Sequence, residues 1–280
     1  MASAIDILLI GHMTVDLVPG GRMLGGTISY AAPTYAACGH KVGILTSAAV
    51  DEPLLCQLLP FGELSLRPAE NSLTYENVYS DSGRTQYIRA TANFLRYSDV
   101  PVGWIQAPYV HLGPLAAELD PREVAEHFPK ATIMLTPQGM MRDWSDDGQV
   151  KFRRWFDERA LEKIDIIVYS EEDVSQYPQF TDAARRVCKH LVVTNGRKGG
   201  TYYHDGGSMH YDSLPVTPQD LTGAGDVFAA SLLGALPMLS GDVAKAVQVA
   251  GKLAAYSVTR AGLASAPTAD EIKYEIERVS

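Results

Sequence analysis

Short apolar runs closed by glycine or polar residues alternate along most of this chain with longer stretches of helical spacing. The run from Ile5 to Ile10, ended by Gly11, reads as a buried parallel strand. After Leu24-Gly25-Gly26-Thr27 comes SYAAPTYAACG, whose small residues predict a tightly packed helix with Pro33 near its start and Gly39 as its stop. His40 to Ala49 returns as a strand. From Asp99 onward the pattern becomes regular. Tyr109 to Leu112, Ala131 to Thr136, Ile164 to Tyr169 and His190 to Thr194 read as short buried strands, and Gln149 to Leu161 and Thr181 to Lys189 read as helices. Strands alternating with helices predict a parallel sheet covered on both faces. The stretch from Ser72 to Leu95 is different. Tyr75, Val78, Tyr79, Tyr87 and Ile88 sit among polar residues, with Ser82-Gly83 as a turn, which predicts a half-buried hairpin standing off the main sheet. Helical spacing resumes from Val227 to Leu236 and from Gly241 to Ala261, with a stripe of Val243, Val247, Ala250, Ala254 and Val258, and ends in an amphipathic helix from Thr268 to Val279.

Composition narrows this picture. With 280 residues, 46% hydrophobic and 20% charged, the chain suits one large α/β domain. The run Ile7 to Ile10 is too short for a signal-peptide core, and Val227 to Leu239 is broken by Ser231, Gly234 and Pro237, so no membrane span is expected. A net charge of −9 with scattered basic residues argues against nucleic acid as a partner. Cys38, Cys56 and Cys188 are odd in number and far apart, as expected of reduced thiols in a cytoplasmic protein, and no Cys/His spacing suggests zinc.

The candidate chemistry centres on DLTGAGDVFAAS, Asp220 to Ser231. Gly223 and Gly225 let a ligand approach the backbone just where a helix begins. The first-turn N–H groups of Ala224, Gly225 and Asp226 have no intrahelical acceptor, and the helix dipole adds positive charge there. That combination is an anion site. A carboxylate beside a bound phosphate would be repelled, unless it takes the proton from the hydroxyl that attacks the phosphorus. The alternative is an acidic first-turn residue that merely complements the dipole. Asp16, just past the first strand, stands at the end where open α/β sheets bind ligands, or else is a solvated loop carboxylate. The first strand leads into GHMTVD, so a dinucleotide fingerprint is absent, and no P-loop sequence occurs.

DLTGAGDVFAASLL closely resembles the C-terminal signature of the pfkB-type carbohydrate kinases, the ribokinase-like family, with Leu221 in the place of its usual Thr. The opening resembles that family's N-terminal signature too, a strand and Gly-x-x-x-x-Asp before a Gly-Gly hinge, with Tyr30 where an Asn usually contacts sugar hydroxyls. The resemblance implies one domain over 1–280, a three-layer α/β/α sandwich with a mostly parallel central sheet and a small β lid from about 12–24 and 72–97. It implies ATP-dependent phosphoryl transfer with Asp226 as base and Gly223, Ala224 and Gly225 stabilising the transferred charge. Substrate contacts would come from Asp16, Gly25, Gly26, Tyr30, Arg84 and Gln138. Nucleotide contacts would come from Thr194, Gly196, Lys198 and Gly199, which match a Thr-x-Gly-x-x-Gly loop, and from Thr222 and Gly251. Glu172 and Asp173, in a stretch where the family has Asn-x-x-Glu, would serve Mg²⁺ through water, and Asp220 would serve K⁺. The segment Leu135 to Arg142 is similar to the Gln-Gly-x-x-Arg text of the family's inositol kinases. A neutral sugar or cyclitol is the expected substrate. A nucleoside is the alternative, stacked on Tyr30 and the lid tyrosines, and a non-catalytic sugar or nucleotide sensor is the third reading. A homodimer formed through the lids is a further expectation of the family.

Overall fold

Side chains alternate across the first strand: Ile7 and Leu9 join one apolar cluster, Leu8 and Ile10 another. A strand buried on both faces lies inside a layered α/β structure. The computed structural model describes residues 4–80 and 83–280, and gives only the backbone at 79, 80 and 84. Its main sheet contains β1 (Ile7–Ile10), β4 (Val42–Ala49), β5 (Glu63–Ala69), β8 (Tyr109–Leu112), β9 (Thr132–Leu135), β12 (Ile166–Ser170), β13 (His190–Thr194), β14 (Gly200–His204) and β15 (Gly207–Tyr211). Their order is β15-β14-β13-β12-β9-β8-β1-β4-β5, parallel from β5 to β13 and closed at the other edge by the antiparallel hairpin β14–β15.

One face is covered by α1 (Thr27–Ala37), α5 (Ala224–Ala235), α6 (Val243–Ser257) and α7 (Ala269–Val279), whose apolar residues share a cluster with Ile7, Leu9, Ile44 and Val192. The other face is covered by α2 (Pro121–His127), α3 (Glu158–Leu161), α4 (Gln179–Ala184) and the loops that carry Trp104 and Phe128. This is the expected α/β/α sandwich. Among the described residues no helix is long and apolar enough to cross a membrane. All three cysteines are free, with Cys56 exposed rather than in the core.

A second sheet stands off the first. It contains β2 (Thr14–Val18), β3 (Gly21–Gly25), β6 (Leu73–Ser80) and β7 (Gly83–Ala90) in the order β3-β2-β6-β7. The turn expected at Ser82-Gly83 falls partly outside the described residues. Glu52, whose side chain is 3% exposed, ties this sheet to the body: Arg22 Nη2 of β3 meets it at 2.5 Å, and Ser72 Oγ, just before β6, donates to it at 3.0 Å.

Three elements depart from the periodicity. Asp16 lies inside β2 rather than in a loop, because β2 is sandwiched between β3 and β6, with Asp16 opposite Met23 and Tyr75. Pro33 lies in the middle of α1 rather than near its start, since the helix begins at Thr27. The helix expected over 149–161 is a hairpin, β10 (Arg142–Trp144) with β11 (Val150–Phe152), followed only by the single turn of α3. The hairpin finds backbone partners in the second sheet, where Ile88 N–H donates to the Gly148 carbonyl at 2.8 Å, and that pairing outweighs local helical spacing.

Candidate active site

Gly223 is the N-cap of α5 and has φ 79°, a conformation that glycine adopts without a Cβ clash. Its flat face lies directly on the ring of Tyr30, leaving no room for a side chain. The chain then enters α5, with Ala224 and Gly225 in the first turn and Asp226 after them. Nothing stands within 4 Å of the Cβ position at Gly225, and the Ala224 N–H makes only a long bond, 3.4 Å, to the Leu221 carbonyl. This is the arrangement an anion requires.

Asp226 is half-buried and accepts a hydrogen bond from Thr27 Oγ1 at 2.7 Å. Burial pushes its carboxyl up to about 6; the Thr27 bond and the Arg142 guanidinium pull the other way, and Asp173 adds to the rise. A carboxyl in that range is ionised near neutrality and still basic enough to accept a proton.

Around Asp226 the structure gathers most of the candidates from the N-terminal half. Asp16 reaches toward the site from β2, bonded by Thr14 Oγ1 at 2.8 Å, and Gly25 has no side chain because the Asp16 carboxylate occupies that space. Gly26, with φ 87°, packs against Leu115 and the His12 carbonyl. Gly25, buried, makes room for Asp16, and Gly26, partly exposed, starts α1. Tyr30 is 3% exposed. Burial, then the charges of Asp226, Asp16 and Asp220, push its hydroxyl well above the usual tyrosine range, so the phenol stays neutral among carboxylates. The Arg84 side chain lies outside the described residues.

Arg142, at the start of β10, is the cation of this centre. Its guanidinium stands 5.6 Å from the centroid of the Tyr75 ring and acts electrostatically on Asp226. Neither Arg142 nor Thr27 was assigned a role on sequence. The signals were there: Arg142 ends the Gln-Gly-x-x-Arg text, and Thr27 directly follows the Gly-Gly pair.

The donor-side candidates divide. Gln138 donates through Nε2 to Asp173 Oδ1 at 2.8 Å, while Asp173 Oδ2 receives both the N–H and the hydroxyl of Ser170 at 2.8 Å. Asp173 is near enough to Asp226 to raise its pKa. Glu172 is exposed beside it. Among the described residues no group of three or more His, Cys, Asp or Glu is placed to hold a metal ion. Thr194 ends β13, and Gly196 (φ 50°) and Lys198 form an exposed turn after it, closed by Asn195 N–H donating to the Gly199 carbonyl at 2.7 Å. Gly199 itself is buried against Tyr211. Gly251 does not reach a ligand surface: it is buried in α6, and a Cβ there would stand 2.9 Å from the Tyr211 ring. Thr222 N–H donates to Asp220 Oδ1 at 2.9 Å in the loop that leads into the anion turn.

Comparison with known proteins fits this arrangement. Residues 152–269 match the family described as pfkB family carbohydrate kinase. A fructokinase of Escherichia coli is 26% identical, covering 96% of this chain and 98% of its own length. A cytidine kinase of Thermococcus kodakarensis is 24% identical, covering 82% and 87%. A pyrophosphate-dependent kinase in the ribokinase family, solved with a pyrophosphate analog and myo-inositol, superposes with a TM-score of 0.79 at 20% identity, covering 96% of this chain and 99% of that one. Over residues 152–269 the chain is similar to the pfkB family carbohydrate kinases, and it has the fold of the ribokinase-family kinases.

Proposed function

We propose that this protein transfers the γ-phosphoryl group of ATP to a hydroxyl of a small neutral sugar or cyclitol, with Asp226 as general base. The observation that carries this reading is Asp226 itself, a carboxylate with a pKa raised to about 6 beside an open helix N-terminus. The acceptor oxygen attacks the γ-phosphorus while its proton passes to Asp226, and the bond to the bridging oxygen breaks to release ADP. The amides of Gly223, Ala224 and Gly225, together with Arg142, face the charge that spreads over the transferred group. Mg²⁺, reached through water from Asp173, supplies further charge neutralisation on the phosphates when bound. K⁺ beside Asp220 and Thr222 belongs to the same proposal, as does a homodimer through the second sheet.

Charge and exposure support a neutral polyol. Asp173 and Arg142 act on Asp226, and Asp16 and Asp220 act with Asp226 on Tyr30, so carboxylates outnumber cations among the described residues that act on this centre, which disfavours an anionic acceptor. The stacking surface that a nucleoside would use is reduced: Tyr30 lies under Gly223, and Tyr75 is 3% exposed with its hydroxyl bonded to the Leu115 carbonyl at 2.8 Å. The second sheet acts as a lid in this reading. It carries Asp16 and Tyr75 over the acceptor and shields the reaction from water.

The test is ADP release with ATP and Mg²⁺ against fructose, ribose, myo-inositol and cytidine, with and without K⁺. Turnover on a polyol well above that on cytidine is expected. Turnover on cytidine alone would favour the nucleoside reading, and ATP binding without turnover on any acceptor would favour a sensor. Pyrophosphate in place of ATP is the informative donor control.

A further inference from the structure

Thr27 is almost fully buried, at 3% exposed, in the first turn of α1. Its hydroxyl donates to Asp226 Oδ1 across 199 positions of sequence. It sits there because two glycines make room: Gly26 turns the chain with φ 87°, and at Gly113, just past β8, a Cβ would stand 2.6 Å from the Thr27 methyl. Three elements thus converge to hold one hydroxyl against one carboxylate oxygen. Resting on the reading of Asp226 as the base, we infer that Thr27 is its positioning residue: by occupying Oδ1 it fixes the carboxylate rotamer and leaves Oδ2 as the oxygen that receives the acceptor's proton.

The chemistry favours this division of work. A hydroxyl bonded to a carboxylate is a charge-assisted bond, stronger than one between neutral groups, and it is formed before the substrate arrives. It also opposes burial, which acts to neutralise Asp226. The other charged or titratable groups facing this centre are Arg142 from β10, which helps ionisation, and Asp173 after β12, which hinders it. Tyr30 of α1 is a neutral phenol near Asp16, Asp226 and Asp220. Among the described residues of this centre, Thr27 is the one hydrogen-bonded to Asp226.

The test compares Thr27→Val, which keeps the shape and removes the donor, with Thr27→Ser, which keeps the donor. Its first readout needs no substrate. In protein labelled with carboxyl-¹³C aspartate, the Asp226 resonance, assigned by its loss in Asp226→Asn, should titrate at higher pH in Thr27→Val and as in wild type in Thr27→Ser. With the best acceptor of the screen, kcat should fall about ten- to a hundred-fold in Thr27→Val, the usual scale for a lost bond to a charged group, with little change in KM and recovery in Thr27→Ser. Should the valine variant not fold, Thr27→Ala beside Thr27→Ser carries the same contrast. An unchanged Asp226 titration in the variant without the donor, or a serine variant as impaired as the valine one, overturns the inference. Full turnover by Asp226→Asn would instead overturn the base assignment, and the titration would still report on the bond.

Discussion

Gln138 Nε2 donates to Asp173 Oδ1 at 2.8 Å, so the residue after Pro137 and the acidic residue after β12 form one hydrogen-bonded unit. The bond fills one oxygen of Asp173 and Ser170 fills the other. Gln138→Glu places a second negative charge against Asp173. We expect the Mg²⁺ concentration for half-maximal activity to change several-fold and the acceptor KM to stay near the wild-type value, a split read directly from kinetics at varied Mg²⁺. A change confined to acceptor KM would return Gln138 to the acceptor side.

Asp226→Asn should lower kcat by about 10² to 10⁴, the range of general-base contributions, because the amide cannot accept the proton. Donor binding measured by calorimetry should change little. Activity within a few-fold of wild type would exclude Asp226 as the base.

The same substitution should stabilise the fold near neutral pH. The Asp226 carboxyl is raised in the folded state from 3.8 to about 6, so as pH rises between those values the unfolded chain releases its proton first and stability falls. Above about pH 6 the deficit is on the order of 3 kcal/mol. Asparagine carries no such deficit. The gain in Tm of Asp226→Asn over wild type should be present at pH 8 and shrink as pH drops toward 4.

Arg142→Ala removes the guanidinium that holds Asp226 down, so the acidic limb of the kcat profile should move to higher pH as kcat falls. Arg142→Lys should restore the position of the limb better than it restores kcat, since an ammonium supplies charge without the planar fork. Identical profiles in all three proteins would remove Arg142 from the site.

Arg22→Ala cuts the contact between β3 and Glu52 while leaving Ser72 in place. Amide exchange in β2 and β3 should speed up by roughly five- to tenfold, with α5 unaffected, because local opening is governed by local contacts. Uniform acceleration across the chain would show that Arg22 supports the whole fold.

Much of this site was legible in the residues themselves. The glycines at 223 and 225 announced the glycine turn that opens α5, and the apolar runs announced the strands, because those features depend on backbone sterics and on burial at a fixed period. Arg142 was hidden for a physical reason. It lies at the mouth of a hairpin whose turn, at Gly148 and Gln149, bonds to the second sheet, and no local periodicity encodes a partner far along the chain. Gly251 was misread for a related reason, since a helical glycine can admit either a ligand or a neighbouring ring, here that of Tyr211.

By itself the sequence determined the layered fold class, the glycine turn that opens α5 and the carboxylate that follows it, all legible in local pattern. Tertiary structure alone decided which groups face that carboxylate: Thr27, brought from 199 positions away, Arg142 from a hairpin, and Asp173 already held by Gln138 and Ser170. Hydrogen bonds and electrostatic fields act across space, and only the folded backbone sets those distances.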